Sequence, residues 1–265
     1  MPRIAANLTM LFTEYPVLER FDRAAMAGFP AVEFLFPYDE DLDGIERALD
    51  RNSLSLVLFN LPAGDWAAGE RGIASQPERQ EEFRAGVGRA VTIGSRLDVP
   101  QINCLVGIAD EVTAPEVTRE TLIDNLRFAA DQLHAVGIRL LVEPVNTHDI
   151  PGFAVPTIRA ALDLLDEVDH LNLALQLDVY HAIRMGEDPI RLLRDHTDKI
   201  AHIQVADVPG RHQPGSGDID FAALFDAIDQ SDYDGWVCLE YNPDGQTEEG
   251  FGLMRELGLL PAAQV

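Results

Sequence analysis

The chain has 265 residues, 46% hydrophobic and 25% charged, with a formal net charge of −25 and a pI near 4.4. Those proportions are those of a folded soluble chain long enough for one large domain. So acidic a surface repels phosphate backbones and anionic lipid, which counts against nucleic-acid and membrane partners. No apolar run approaches the roughly 18–20 residues of a membrane span, and the N-terminus "MPRIAANLTM" lacks the layout of a secretory signal. Cys104 and Cys238 each lie inside an apolar segment and read as buried thiols rather than a disulfide framework. A cytoplasmic enzyme is expected; a homo-oligomer is compatible with all of this.

In chain order, short apolar runs at 4–8, 31–36, 54–61, 101–106, 139–145, 173–178, 200–206 and 236–241 read as strands. Between them run segments of helical period. Ser75-Gln76-Pro77-Glu78 has the form of a capping box and is expected to open a helix with Phe83, Val87, Ala90, Val91 and Leu97 inward. Thr113 with Pro115 opens a second, with Leu122, Leu126, Ala130 and Leu133 inward and Gly137 closing it. Asp188, before Pro189, and Asp220 read as N-caps of two more. Strict alternation of eight strand–helix units with continuously apolar strands calls for a parallel sheet covered by helices, and eight units close into a (β/α)₈ TIM barrel. An open doubly wound sheet is the alternative, but no Gly-rich phosphate loop follows the first strand. Nothing reads as a linker, so residues 1–265 are expected to form one barrel domain. Its longest connection, 62–76, follows the third strand on the side where barrel active sites lie.

Polar residues punctuate the ends of these apolar runs. Glu143 ends the fifth, Asp178 the sixth and Glu240 the eighth, while Gln204 interrupts the seventh. In a barrel they converge on one mouth, where three carboxylates at low dielectric must protonate or find a counter-charge. No lysine or arginine lies in these four strand ends. A divalent cation resolves the conflict, and an all-oxygen set favours Mg²⁺, with Mn²⁺ or Ca²⁺ as alternatives, over Zn²⁺. His181 and His148 are loop residues, His202 is expected on the outward face of its strand, and Asp207 with Arg211 reads as a loop ion pair.

The segments "NLPAGDWAAGERGIA" (60–74), "EPVNTHDIPGF" (143–153), "QLDVYH" (176–181), "HIQVADVPGRHQPGSGDIDF" (202–221) and "GWVCLEY" (235–241) together resemble the hydroxypyruvate isomerase family of the xylose-isomerase-like barrel superfamily. The resemblance runs over nearly the whole chain. It implies a reversible interconversion of hydroxypyruvate and tartronate semialdehyde, with Glu143 and Glu240 as the acid/base pair. It also implies Glu143, Asp178, Gln204 and Glu240 as metal ligands. Sugar epimerases of the superfamily carry a histidine at the seventh-strand ligand position, so Gln204 points to the hydroxypyruvate isomerase branch. A substrate carboxylate needs a positive partner, for which Arg71 in the long loop is the candidate, and His181 is placed to donate to a substrate oxygen. The competing readings are a four-carbon 2-oxo-tetronate isomerase, an apurinic endonuclease and a sugar-acid binding protein without catalysis. The endonuclease needs a histidine-rich zinc cluster and a basic face, which this chain does not offer.

Overall fold

A computed structural model describes residues 1–109 and 112–262. The apolar runs form β1 (Arg3–Asn7), β2 (Ala31–Glu33), β3 (Ser55–Asn60), β4 (Gln101–Cys104), β5 (Arg139–Val142), β6 (Leu173–Asp178), β7 (Ile200–Val205) and β8 (Trp236–Leu239). All pair in parallel, and β8 returns to β1 to close the sheet in sequence order. Several strands are shorter than their apolar runs, so Glu143 and Glu240 stand one residue past β5 and β8. Prolines and polar residues at those exits end the ladder and release the chain into the loops.

The crossovers are α1 (Val17–Ala27), α2 (Leu42–Asn52), α3 (Gln80–Arg96), α4 (Pro115–His134), α5 (Ile158–Val168), the pair α6 (Val179–Arg184) and α7 (Pro189–His196), and α8 (Phe221–Asp229), with α9 (Gly252–Glu256) after β8. Asp188 and Asp220 cap α7 and α8 as expected, accepting from Ile190 N and Ala223 N. The helix expected from Thr113 and Pro115 begins at Pro115 with Ala114 in the N-cap position, and Gly137 follows it at φ +77. The Ser75 capping box does not form. Residues Pro77–Arg79 make a 3₁₀ turn, α3 starts at Gln80, and the Ser75 N–H is committed to Val106 O at 3.2 Å. Arg79, tied to Glu70 and to Glu82, anchors that turn instead.

Alternation along each strand sorts side chains to the helix side or the barrel interior. The main apolar core lies between sheet and helices. Inside the barrel, two small clusters stand apart from it: Ala5, Ala31, Val57 and Cys238, and Leu58, Leu141 and Ala174. The same parity then places Asn7, Glu33, Gln101, Asn103, Gln176, His202 and Gln204 inside, all buried. Barrel interiors are usually filled by branched aliphatics; this one adds to its two small apolar clusters a layer of amides and one Glu–His pair. His202 is therefore not outward-facing. Its Nε2 lies 2.6 Å from Glu33 Oε2 and its Nδ1 3.0 Å from Gln101 Nε2. It shares Gln204's parity two residues away, and period two sends both to the interior.

Loop 62–76 is drawn against the β4 exit. Gly72, at φ +116, runs so close that a Cβ there would sit 2.0 Å from the Leu105 carbonyl oxygen. Only glycine permits that approach, and it sets Trp66 and Arg71 beside the barrel mouth.

Candidate active site

A cavity of about 350 Å³ opens at the C-terminal end of the strands. Glu143, His181, Arg211 and Glu240 line it together with Arg71 and Trp66. A larger cavity of about 530 Å³ lies alongside and shares Leu35 and Trp66, but none of the strand-end carboxylates reaches it.

Neighbouring strands hold the two glutamates, and the following helix holds Asp178. Glu143 Oε2 accepts from Asn103 Nδ2 at 2.8 Å, and Asn103 in turn donates to Asn60 Oδ1 at 3.1 Å. Asp178 caps α6 by accepting from His181 N at 3.2 Å. Glu240 Oε1 accepts from Asn7 Nδ2 at 3.0 Å. The expected ion pair of Asp207 with Arg211 is absent among the described residues. Asp207 instead accepts the backbone N–H groups of Val208, Gly215, Gly217 and Ile219 and so organises its own loop. Arg211, released from that role, turns inward. Its Nη2 donates to Glu240 Oε2 at 2.5 Å and to Asp178 Oδ2 at 3.3 Å. The site thus has one arginine counter-charge that the four strand ends did not announce.

Ligand atoms of Glu143, Asp178 and His181 lie within 4.8 Å of one another, which makes a candidate metal site. The tautomer of His181 bears on its part. Asn146 Oδ1 accepts from Asp149 N at 2.9 Å, so its amide nitrogen faces His181 Nδ1 at 2.6 Å. Nδ1 is therefore an acceptor, and the neutral ring carries its proton on Nε2, toward the carboxylates of Asp178 at 3.6 Å and Glu143 at 3.9 Å. Burial lowers the His181 pKa to about 4, so the ring is neutral near pH 7. In this tautomer the Nε2–H points toward the carboxylates, and ligation through Nε2 would require the proton on Nδ1, where the Asn146 amide faces it. Gln204 is engaged lower down: its Nε2 donates to Glu33 Oε1 and its Oε1 accepts from Gln176 Nε2, both at 2.6 Å. For its oxygen to reach a metal the amide must turn.

Burial pushes Glu143 well above the ordinary carboxylate range, and the nearby Glu240 and Asp178 push it further while Arg211 pulls it back. Glu240 is raised to about 8, mainly by burial, against the opposing pull of Arg211. Arg211 is held above its ordinary value because Glu240, Asp178 and Glu143 outweigh its burial. With all three acids ionised, one cation leaves the site short of positive charge, and the donor set of carboxylates with one amide oxygen suits a hard divalent ion. The Glu240 shift has a consequence for stability. Between its ordinary 4.5 and about 8, the folded protein holds a proton that the unfolded chain has released, so stability falls as pH rises through that window. His181 acts in the opposite sense, but only below its ordinary 6.5. Metal-free protein is therefore expected to lose up to about 2 kcal/mol through Glu240 between about pH 6.5 and 8. Urea unfolding at the two pH values with chelator present measures it; an equal loss in Glu240→Gln assigns the slope to other groups.

Arg71 lines the cavity with its guanidinium 3.9 Å from the Trp66 ring centroid. It donates to the carbonyls of Glu70 and Trp66 at 2.7 and 3.2 Å, and no acidic side chain pairs with it among the described residues. His148 is exposed and does not line the cavity. Sequence reasoning missed Glu33, Asn7, Asn103 and Arg211. For Asn7 and Asn103 the signal was there: each is a polar residue at interior parity near the end of a strand.

Comparison with known proteins places the chain in a family. The family described as xylose isomerase-like TIM barrel matches residues 21–257. The chain belongs to that family. It is 48% identical to the hydroxypyruvate isomerase of Escherichia coli K12 over 96% of this chain and 98% of that one. It is 41% identical to a 2-oxo-tetronate isomerase of Cupriavidus necator, over 96% and 98% of the two chains. A solved Brucella melitensis structure described as AP endonuclease, family 2, superposes with a TM-score of 0.94 at 45% identity, covering 97% of this chain and 99% of that one. No helix among the described residues is long and apolar enough to cross a membrane.

Proposed function

We propose that this protein interconverts hydroxypyruvate and tartronate semialdehyde by moving a proton between adjacent carbons through an enediol. The observation that carries the reading is the pair of buried glutamates, Glu143 and Glu240, facing one cavity with raised proton affinities. A base acting near neutral pH needs such a proton affinity, which an exposed carboxylate lacks. One glutamate takes the proton from the hydroxymethyl carbon and the other delivers one to the former carbonyl carbon. The hydroxyl proton passes between the two oxygens, and the Nε2–H of His181 donates to one of them. The site would hold a divalent ion, most naturally Mg²⁺, through Glu143, Asp178 and Glu240, with Gln204 joining once its amide turns. When bound, that ion supplies electrophilic stabilisation of the negative charge that develops on the substrate oxygens. Loop 62–76 covers the mouth with Trp66 and helps exclude water.

Arg71 is the partner for the substrate carboxylate. A charge-assisted pair is worth roughly 1.5–3 kcal/mol, so Arg71→Ala is expected to lose about 10- to 150-fold in kcat/KM on carboxylate substrates. An equal loss on an uncharged hydroxy-ketone analogue assigns Arg71 to loop structure instead.

The alternative substrate is a four-carbon 2-oxo-tetronate, favoured by the 41% identity to an enzyme of that name. NMR of both acids in D₂O with metal-loaded protein separates them, because it reports carbon-bound exchange and product together. No exchange into either acid would sink the isomerase reading. The endonuclease description of the Brucella structure finds no support in this chain. Its net charge is −25, and the candidate metal cluster holds a single histidine.

A further inference from the structure

Beneath the cavity lies a buried carboxylate that proton transfer does not use. Glu33 is fully buried at the end of β2, and it does not line the cavity. Its Oε2 lies 2.6 Å from His202 Nε2, and His202 is braced across the barrel by Gln101 at 3.0 Å. Its Oε1 accepts from Gln204 at 2.6 Å and from Asn7 at 2.9 Å. The Asn7 amide is fixed from its other end, where Oδ1 accepts the backbone N–H groups of Thr9 and Met10 at 3.0 and 3.3 Å. Its two amide hydrogens therefore point to Glu33 Oε1 and to Glu240 Oε1.

Resting on the isomerase reading above, we infer that Glu33 is a positioning residue for the reaction: through Asn7 it fixes the carboxyl of Glu240, and with Gln204 it fixes the floor of the site. Arg211 grips Glu240 through Oε2 and Asn7 through Oε1, so two clamps define where that carboxyl stands. Arg211 is partly exposed, whereas Asn7 and Glu33 are fully buried, which makes the inner clamp the rigid one. The Glu33 carboxylate spreads these three donors over its two oxygens. In Glu33→Gln a single oxygen remains for three donors, so at least one goes unpaired and the hold on Asn7 loosens. Neither Glu33 nor Asn7 lines the cavity, so substrate binding is not expected to change with them.

The test is a double-variant cycle with Glu33→Gln and Asn7→Asp, both close to isosteric. Each single variant is expected to lower kcat about 10- to 100-fold, in keeping with the cost of about 1 Å of misplacement. KM is expected to stay within about 2-fold, and the double variant to lose little more than the worse single. Multiplied losses, a rise in KM with kcat unchanged, or wild-type kcat in a folded Glu33→Gln protein overturns the inference. Should Glu33→Gln not fold, Asn7→Asp alone decides by the same split of kcat from KM. If the wild type turns over neither oxo acid, the functional reading fails by itself, and crystal structures of the variants decide the positioning separately. A Glu240 carboxyl displaced by about 1 Å or more supports it; one left in place rejects it.

Discussion

Glu143→Gln is expected to lower kcat by about 10²–10⁴-fold, the range that general acid–base catalysis contributes. The substitution keeps the shape and one oxygen, so Asn103 still has an acceptor where it now donates at 2.8 Å. What disappears is a carboxylate whose burial has raised its proton affinity for the task. Glu240→Gln is expected to behave alike while still binding the substrate, which distinguishes catalysis from simple sugar-acid binding. The double variant should lose far less than the product of the two single losses, because residues that act as a unit are not additive. The deciding measurement is deuterium entry at the substrate carbon in D₂O. Wild-type exchange in Glu143→Gln would mean that Glu143 only binds and that another group moves the proton.

Prolonged chelation is expected to reduce turnover by roughly 10³-fold or more, since a divalent ion supplies several kcal/mol of charge stabilisation. Added Mg²⁺ or Mn²⁺ should restore it. The charge count motivates this even though Arg211 proved to be an internal cation. Glu143, Asp178 and Glu240 face one guanidinium and a neutral His181, so ionising all three would leave an excess of negative charge at the barrel mouth, and a cation relieves the proton affinity that burial and mutual repulsion raise. On the proposed function, substrate brings another carboxylate into the same cavity, and Arg71 is assigned to that one. Full activity in protein shown metal-free by elemental analysis rejects the metal requirement.

The strand-end acids were legible in the sequence because each one breaks an apolar run. Glu143 is followed by Pro144, Asp178 opens a helix, and Glu240 ends the last strand. Glu33 escaped notice for the opposite reason. Phe34 and Phe36 prolong the apolar run past it, so the short β2 showed no polar end. Arg211 was visible as a residue but not as a partner. Asp207 stood four positions away as the obvious mate, until four backbone N–H groups in its own loop took that carboxylate.

By itself the sequence determined what short-range physics controls: eight apolar runs in alternation with amphipathic helices, the caps at Asp188 and Asp220, and the parity that aims acids at the mouth. Tertiary structure decided which charges meet. Glu33 and His202 are 169 positions apart and Gln101 and His202 are 101 apart, yet they touch across the barrel interior. No local spacing encodes those contacts. They exist because β8 closes on β1, and closure brings the interior side chains of distant strands within hydrogen-bonding reach. Once buried there, each polar group must find a partner inside, and that demand selects the Glu33–His202 pair, the Gln204 amide held between Glu33 and Gln176, and the clamp on Glu240.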